Sequence, residues 1–313
     1  MHRPRFLRTA IALCITATIT ACAGQSHIAN TAAQNTPPFA NAVPLAGELR
    51  PYALALRPSH VHDLAAFGSA TRYEIELWVN PTTRSIRGVQ SVRYTNRGPA
   101  PLDEIMLRLY PNTRYMNGSM QAGAVLADGR PVTPTVYLRA SIGAAQFVTD
   151  SSVVRLPLPA RLGVGQSVTL SMTFQVTAPA RPETGYRVFG QTNGVLSLPN
   201  VYPLIPPRDS RGAWHLDEAP DWGDIVFSES ALYRVRIQAP IDQVIVASGV
   251  CTSFRDAAHA RQEVTCVAGP LRDFALHLSE KFEVIEATLV SQGELILLRS
   301  YYLSGFRAGA ARA

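Results

Sequence analysis

The sequence predicts an all-β protein whose bulk is one large β-sandwich. Three observations point there: apolar and polar residues alternate in run after run from Thr71 onward, Pro and Gly concentrate between those runs, and helical periodicity is scarce. A strand buried on one face needs that period of two. Many such strands are stable only as stacked layers, with at least one wetted face per sheet.

The chain opens with Arg3, Arg5 and Arg8 before an apolar run from Ala10 to about Thr20, too short to span a bilayer as a mature helix. Residues 1–21 therefore read as an export signal. The run closes on Ile19, Thr20, Ala21 and Cys22, which resembles the lipobox of bacterial lipoproteins. In that reading Cys22 becomes an acylated first residue and anchors the chain to a membrane, in the bacterial cell envelope and outside the cytoplasm. Ala21 and Ala23 also satisfy a small-x-small site, so ordinary cleavage after Ala23 is the alternative. Residues 22–60 are rich in Ala, Asn, Gln, Thr and Pro, as in "NTAAQNTPPFANAVP", and read as a flexible tether. The expected sandwich then covers 61–285.

Within it, "RYEIELWV" sets Tyr73, Ile75, Leu77 and Val79 against Arg72, Glu74, Glu76 and Trp78, and "NPTT" turns the chain. "EIMLRLYPN" repeats the device with Ile105, Leu107 and Leu109. "VTLSMTFQV" alternates Val168, Leu170, Met172, Phe174 and Val176 with Thr169, Ser171, Thr173 and Gln175, and "LYRVRIQAP" does so with Tyr233, Val235 and Ile237. "LRDFALHLSE" has Leu271, Phe274, Ala275 and Leu278 at helical spacing, yet it lies between strand-like runs and stays open.

Charge is modest: 29 basic against 23 acidic residues, three of the basic ones within residues 1–21, leave an excess of about +3 in the exported part. No basic run is interleaved with aromatics, so nucleic acid is not an expected partner. Cys251 and Cys266 flank "TSFRDAAHARQEVT" between two apolar runs. They read either as a disulfide closing a β-hairpin or as two small buried thiols.

As an ordered set, these runs resemble a known family. "YEIELWVNPTTRSIRGVQSVRYTNRGPAPLDEIMLRLYPN" resembles the opening of the N-terminal domain of zinc metallopeptidases of the aminopeptidase N family: a strand, an Asn-Pro turn, an Ile-x-Gly step, and a Leu-Tyr-Pro-Asn close. "NVYPLIPPRDSRGAWHLDEAPDWGDIVFSESALYRVRIQAPIDQVIVASG" and "GPLRDFALHLSEKFEV" are similar to its middle and end. The resemblance covers about residues 60–313 and implies a saddle-like β-sandwich. It also implies that "GELILLRSYYL" and "SGFRAGAARA" begin a thermolysin-like catalytic domain, making 286–313 its stub.

In that family zinc is held by H-E-x-x-H and a later Glu, and G-x-M-E-N marks exopeptidases. None of the seven histidines here, His2, His27, His60, His62, His215, His259 and His277, stands in such a motif. Two imidazoles one helical turn apart are what reach one metal, with the Glu aimed at its water. The expectation is a non-catalytic domain with no cofactor of its own, zinc belonging to the full-length family member and peptide substrate arriving through the catalytic domain. The resemblance places Asn200 where the family's aminopeptidases use Gln or Glu to hold the substrate's free amine; Asn is one methylene shorter than Gln, and a plain turn residue is the alternative.

Other clusters have structural readings beside functional ones. His60, His62 and Asp63 offer three metal ligands but no evident fourth, against a loop entering the first strand. Asp217, Glu218, Asp221 and Asp224 offer oxygens without EF-hand spacing, against a solvated loop. Tyr202, Trp214 and Trp222 line a cleft or are core and rim aromatics. The rival to the whole reading is a self-standing β-sandwich lipoprotein that binds a protein or glycan and catalyses nothing.

Overall fold

The "NPTT" turn joins β1 (Arg72–Asn80) to β2 (Ser85–Thr95), antiparallel and in register from Arg72 opposite Arg93 to Asn80 opposite Ser85. Asn80 makes the turn: its Oδ1 accepts hydrogen bonds from the backbone N–H of Thr82 and Thr83 at 3.1 and 3.2 Å, the Asx device that competes with strand continuation. The computed structural model describes residues 47–140, 147–181, 188–217, 223–291 and 293–312. The export signal, Cys22 and most of the expected tether lie outside the described residues.

The hairpin sits in the middle of an eight-stranded sheet. On one side of β1 follow β11 (Ala231–Pro240), β14 (Arg261–Leu271) and the edge strand β13 (Val250–Asp256). On the far side of β2 follow β8 (Ser167–Thr177), β4 (Ser119–Ala127) and β5 (Arg130–Val132). β1 and β11 run parallel, Tyr73 beside Tyr233, whereas their other neighbours are antiparallel. A parallel pair needs a long crossover, and the chain between the two strands supplies most of the second layer.

That layer holds two smaller sheets. One joins β3 (Leu102–Arg108), β7 (Phe147–Leu162) and β6 (Thr135–Ala140); the other orders β12 (Val244–Ala247), β15 (Leu276–Ser279), β10 (Val195–Ser197) and β9 (Gly190–Thr192). Ile105, Leu107, Leu156, Leu196, Leu276 and Leu278 from these sheets share one buried cluster with Ile75, Leu77, Leu170 and Val235 from the large sheet. The molecule is therefore an all-β sandwich. Its centre is aromatic: Tyr73 stacks on Tyr233 with centroids 5.0 Å apart, and Tyr202 meets both edge-on at 5.5 and 5.8 Å.

Within Leu271–Glu280 no helix forms: Leu271 ends β14 and Leu276–Ser279 make β15, where Leu276 and Leu278 both enter the core with His277 between them. The packed chain also reaches further back than the boundary expected at residue 61. Leu49, Tyr52 and Leu64, on 3-10 turns Arg50–Ala55 and Pro58–Phe67 and just before them, cover Leu232 on the outer face of the large sheet. At the other end β16 (Phe282–Ser291) pairs along its whole length with β17 (Glu294–Leu303), so one strand crosses the boundary expected after residue 285. The short helix α1 (Arg307–Ala310) follows.

Candidate functional site

Asn200 ends the excursion after β10, at a left-handed φ of 51° that Asn tolerates better than most side chains. Its surroundings are stitched to both layers. Gln90 Nε2 donates to Pro203 O at 2.9 Å, Leu204 and Arg108 exchange backbone hydrogen bonds, and Ile205 N–H donates to the Tyr73 hydroxyl at 3.0 Å. Tyr202 is wholly buried, and its hydroxyl accepts from Phe274 N–H at 3.3 Å; burial pushes the phenols of Tyr73, Tyr202 and Tyr233 upward, so all stay neutral. Asn200 itself is 3% exposed, and its Oδ1 is buried with no hydrogen-bond donor. Such an orphan acceptor usually costs on the order of 1–3 kcal/mol.

Next to this turn, Trp214 lies under the Arg208 guanidinium, 5.3 Å from the ring centre, and 6.0 Å from Tyr94. Arg208 also donates to Asn96 Oδ1 and Gly212 O, which ties the Pro206–Trp214 loop to the sandwich. Tyr202 is thus a core residue, Trp214 a partly buried rim residue, and Trp222 lies outside the described residues, as do Glu218 and Asp221. Asp217 and Asp224 stand beside that undescribed stretch. Among the described residues no three His, Cys, Asp or Glu side chains are grouped to hold a metal ion, so no step of zinc chemistry is derived from this chain. His60 and His62 do meet Asp63, each 3.1 Å from a different carboxylate oxygen, on an exposed turn.

Cys251 and Cys266 lie directly opposite on β13 and β14 and form a disulfide, with Cα atoms 4.0 Å apart. It staples the edge strand to the sheet.

Sequence reasoning passed over the outer face of the large sheet. There Trp78, Arg87, Val89, Gln121, Thr173 and Gln175 surround a hollow of about 490 Å³. The one available signal was Trp78, a large aromatic among Arg72, Glu74 and Glu76 on the polar side of β1.

The fold is similar to that of an M1 zinc metallopeptidase from Deinococcus radiodurans, with a TM-score of 0.50 and 18% identity over 76% of this chain and 48% of that one. A mutant of that enzyme bound to a Tyr-Ser-Ala substrate gives a TM-score of 0.48 with the same identity and coverage. The chain spans about half the length of these solved structures. No family model and no curated protein matches the sequence.

Proposed function

We propose that this chain is the non-catalytic N-terminal β-domain of an exported zinc metallopeptidase of the M1, aminopeptidase N-like kind, which walls one side of the active-site cleft and positions the peptide's free amine. Beyond the likeness of fold, the observation that carries this reading is the β16–β17 hairpin. Paired residues share a face, so Val290, Leu295 and Leu297 lie on one side and Leu289, Ile296 and Leu298 on the other. Of these, Leu295 is 75% exposed and Leu298 47%. A ribbon apolar on both faces is built to be covered on both, as an inner part of a larger sheet is.

On this reading the zinc and the hydrolytic groups belong to the domain that covers the hairpin, and substrate reaches the β-domain across their shared cleft. Positioning of that kind supplies much of an enzyme's rate. Asn200 is proposed to receive the substrate's ammonium group, supported by an Oδ1 that has no donor of its own; that atom is buried, so the turn has to open for the ammonium to reach it. Cys22 is proposed to be acylated, which would hold the enzyme at the envelope membrane; a labelled fatty acid should enter the wild-type chain and not Cys22→Ser.

Translating the coding DNA past the Ala313 codon tests the main reading. An H-E-x-x-H preceded by G-x-M-E-N, in frame or one frameshift away, is expected. A stop followed by unrelated sequence overturns it and brings the self-standing binding protein forward.

A further inference from the structure

The alternation that buries one face of the large sheet leaves the other polar, and the register gathers a particular set of side chains there. Trp78 stands opposite Arg87, Arg87 opposite Gln175, and Gln175 opposite Gln121, so β1, β2, β8 and β4 present one transverse row. Strands about 4.8 Å apart make the row about 14 Å long. In the next row Val89 faces Thr173. There the ladder between β8 and β4 breaks, its register shifting between Ala122 and Val125, and Gly123 comes against Thr173. A Cβ at 123 would lie 2.3 Å from Thr173 Oγ1, so only a glycine lets β4 come this close to Thr173 at the wall of the hollow. Its volume of about 490 Å³ falls within the ~300–1,000 Å³ of ordinary small-ligand sites.

The polar groups in it are free. Elsewhere on this face Arg72 and Arg93 share Glu48, and Arg236 is held by Glu76 and Glu263. Arg87 has no such partner among the described residues, and no Asp or Glu lines the hollow. The amides of Gln121 and Gln175 and the Trp78 indole N–H are likewise unengaged.

An indole beside an aliphatic side chain, two amides, a hydroxyl and one guanidinium complement a sugar ring: C–H face to aromatic, hydroxyls to amides and Thr173, carboxylate to arginine. We propose that this hollow binds an acidic saccharide, a pyranose carrying a carboxylate. A lone cation without a basic surround suits one carboxylate better than a phosphate chain.

Saturation-transfer NMR on the full chain, with glucuronate, galacturonate and N-acetylmuramate against glucose, galactose and N-acetylglucosamine, tests it. Transfer to at least one acid, weaker by about tenfold in affinity for its neutral counterpart, is expected. Arg87→Gln should erase that preference, and Trp78→Ala or Gly123→Val should abolish transfer. Arg87→Gln changes an exposed side chain and leaves the fold intact, so it decides the matter even where Gly123→Val disturbs β4. No transfer to any acid, equal transfer to the neutral sugars, or an acid preference that survives Arg87→Gln overturns the proposal.

Discussion

Phe174 lies over Gly88. The two face each other across β2 and β8 on the core side, and a Cβ at position 88 would stand 2.1 Å from Phe174 Cζ. The Ile-x-Gly step formed by Ile86, Arg87 and Gly88 thus has a steric cause: the ring of a 2% exposed Phe occupies the space of the missing side chain. Gly88→Ala should lower stability by about 1–3 kcal/mol through overpacking. In Gly88→Ala/Phe174→Leu the loss should fall short of the sum of the two single losses, read as urea midpoints, because the changes share one space.

The Cys251–Cys266 bridge closes a loop with a sequence separation of 15. Removing it with a Cys251→Ser/Cys266→Ser pair should cost about 3 kcal/mol. The loss should concentrate on β13, whose residues are nearly all exposed. Faster hydrogen exchange in β13 than in β1 of the variant would show this.

His277 is held neutral. Its Nδ1 lies 3.1 Å from Ser197 Oγ, and burial lowers its pKa below 6.5. Below about pH 6.5 the unfolded chain therefore binds a proton that the folded chain resists, so stability falls as the pH drops toward the folded value. The urea midpoint of the wild type should decline more between about pH 7 and pH 5 than that of His277→Gln. Asp273 works in the opposite sense, since burial raises its pKa and protonation favours the folded form.

Asn200 carries two separable effects. In the chain alone, Asn200→Ala sets the strain of Ala in the left-handed region against relief of the orphan acceptor, so the net change in stability should stay within about 1 kcal/mol. In the longer peptidase, the same change should raise KM for peptides with a free amine by about tenfold, the worth of one hydrogen bond to a charged group. N-acetylated peptides should be unaffected, a contrast that a purely structural residue would not produce.

Much of the sandwich is legible in sequence because strands such as β1, β8 and β11 bury one face, and Tyr73, Leu170 or Val235 recur at every second place. β7 was hidden by Pro157 and Pro159, and β15 by Leu271, Phe274, Ala275 and Leu278, which mimic a helical stripe although the core takes Phe274, Leu276 and Leu278, the every-second-residue set of an extended chain. The parallel pairing of β1 with β11 joins residues about 160 positions apart, and no local pattern encodes it. The outer hollow is scattered for the same reason: Trp78, Arg87, Gln121 and Gln175 become neighbours only through register. The orphan Oδ1 of Asn200 is likewise a property of packing and not of type.

The central claim, a β-domain that needs a separate zinc domain for catalysis, is tested most directly by comparing two proteins: this chain alone, and the chain extended through the coding sequence that follows it. The account predicts that the extended protein binds zinc and hydrolyses an aminoacyl-arylamide, while the short chain does neither. Zinc-dependent hydrolysis by the short chain, or an extended protein that neither binds zinc nor cleaves peptides, would contradict it.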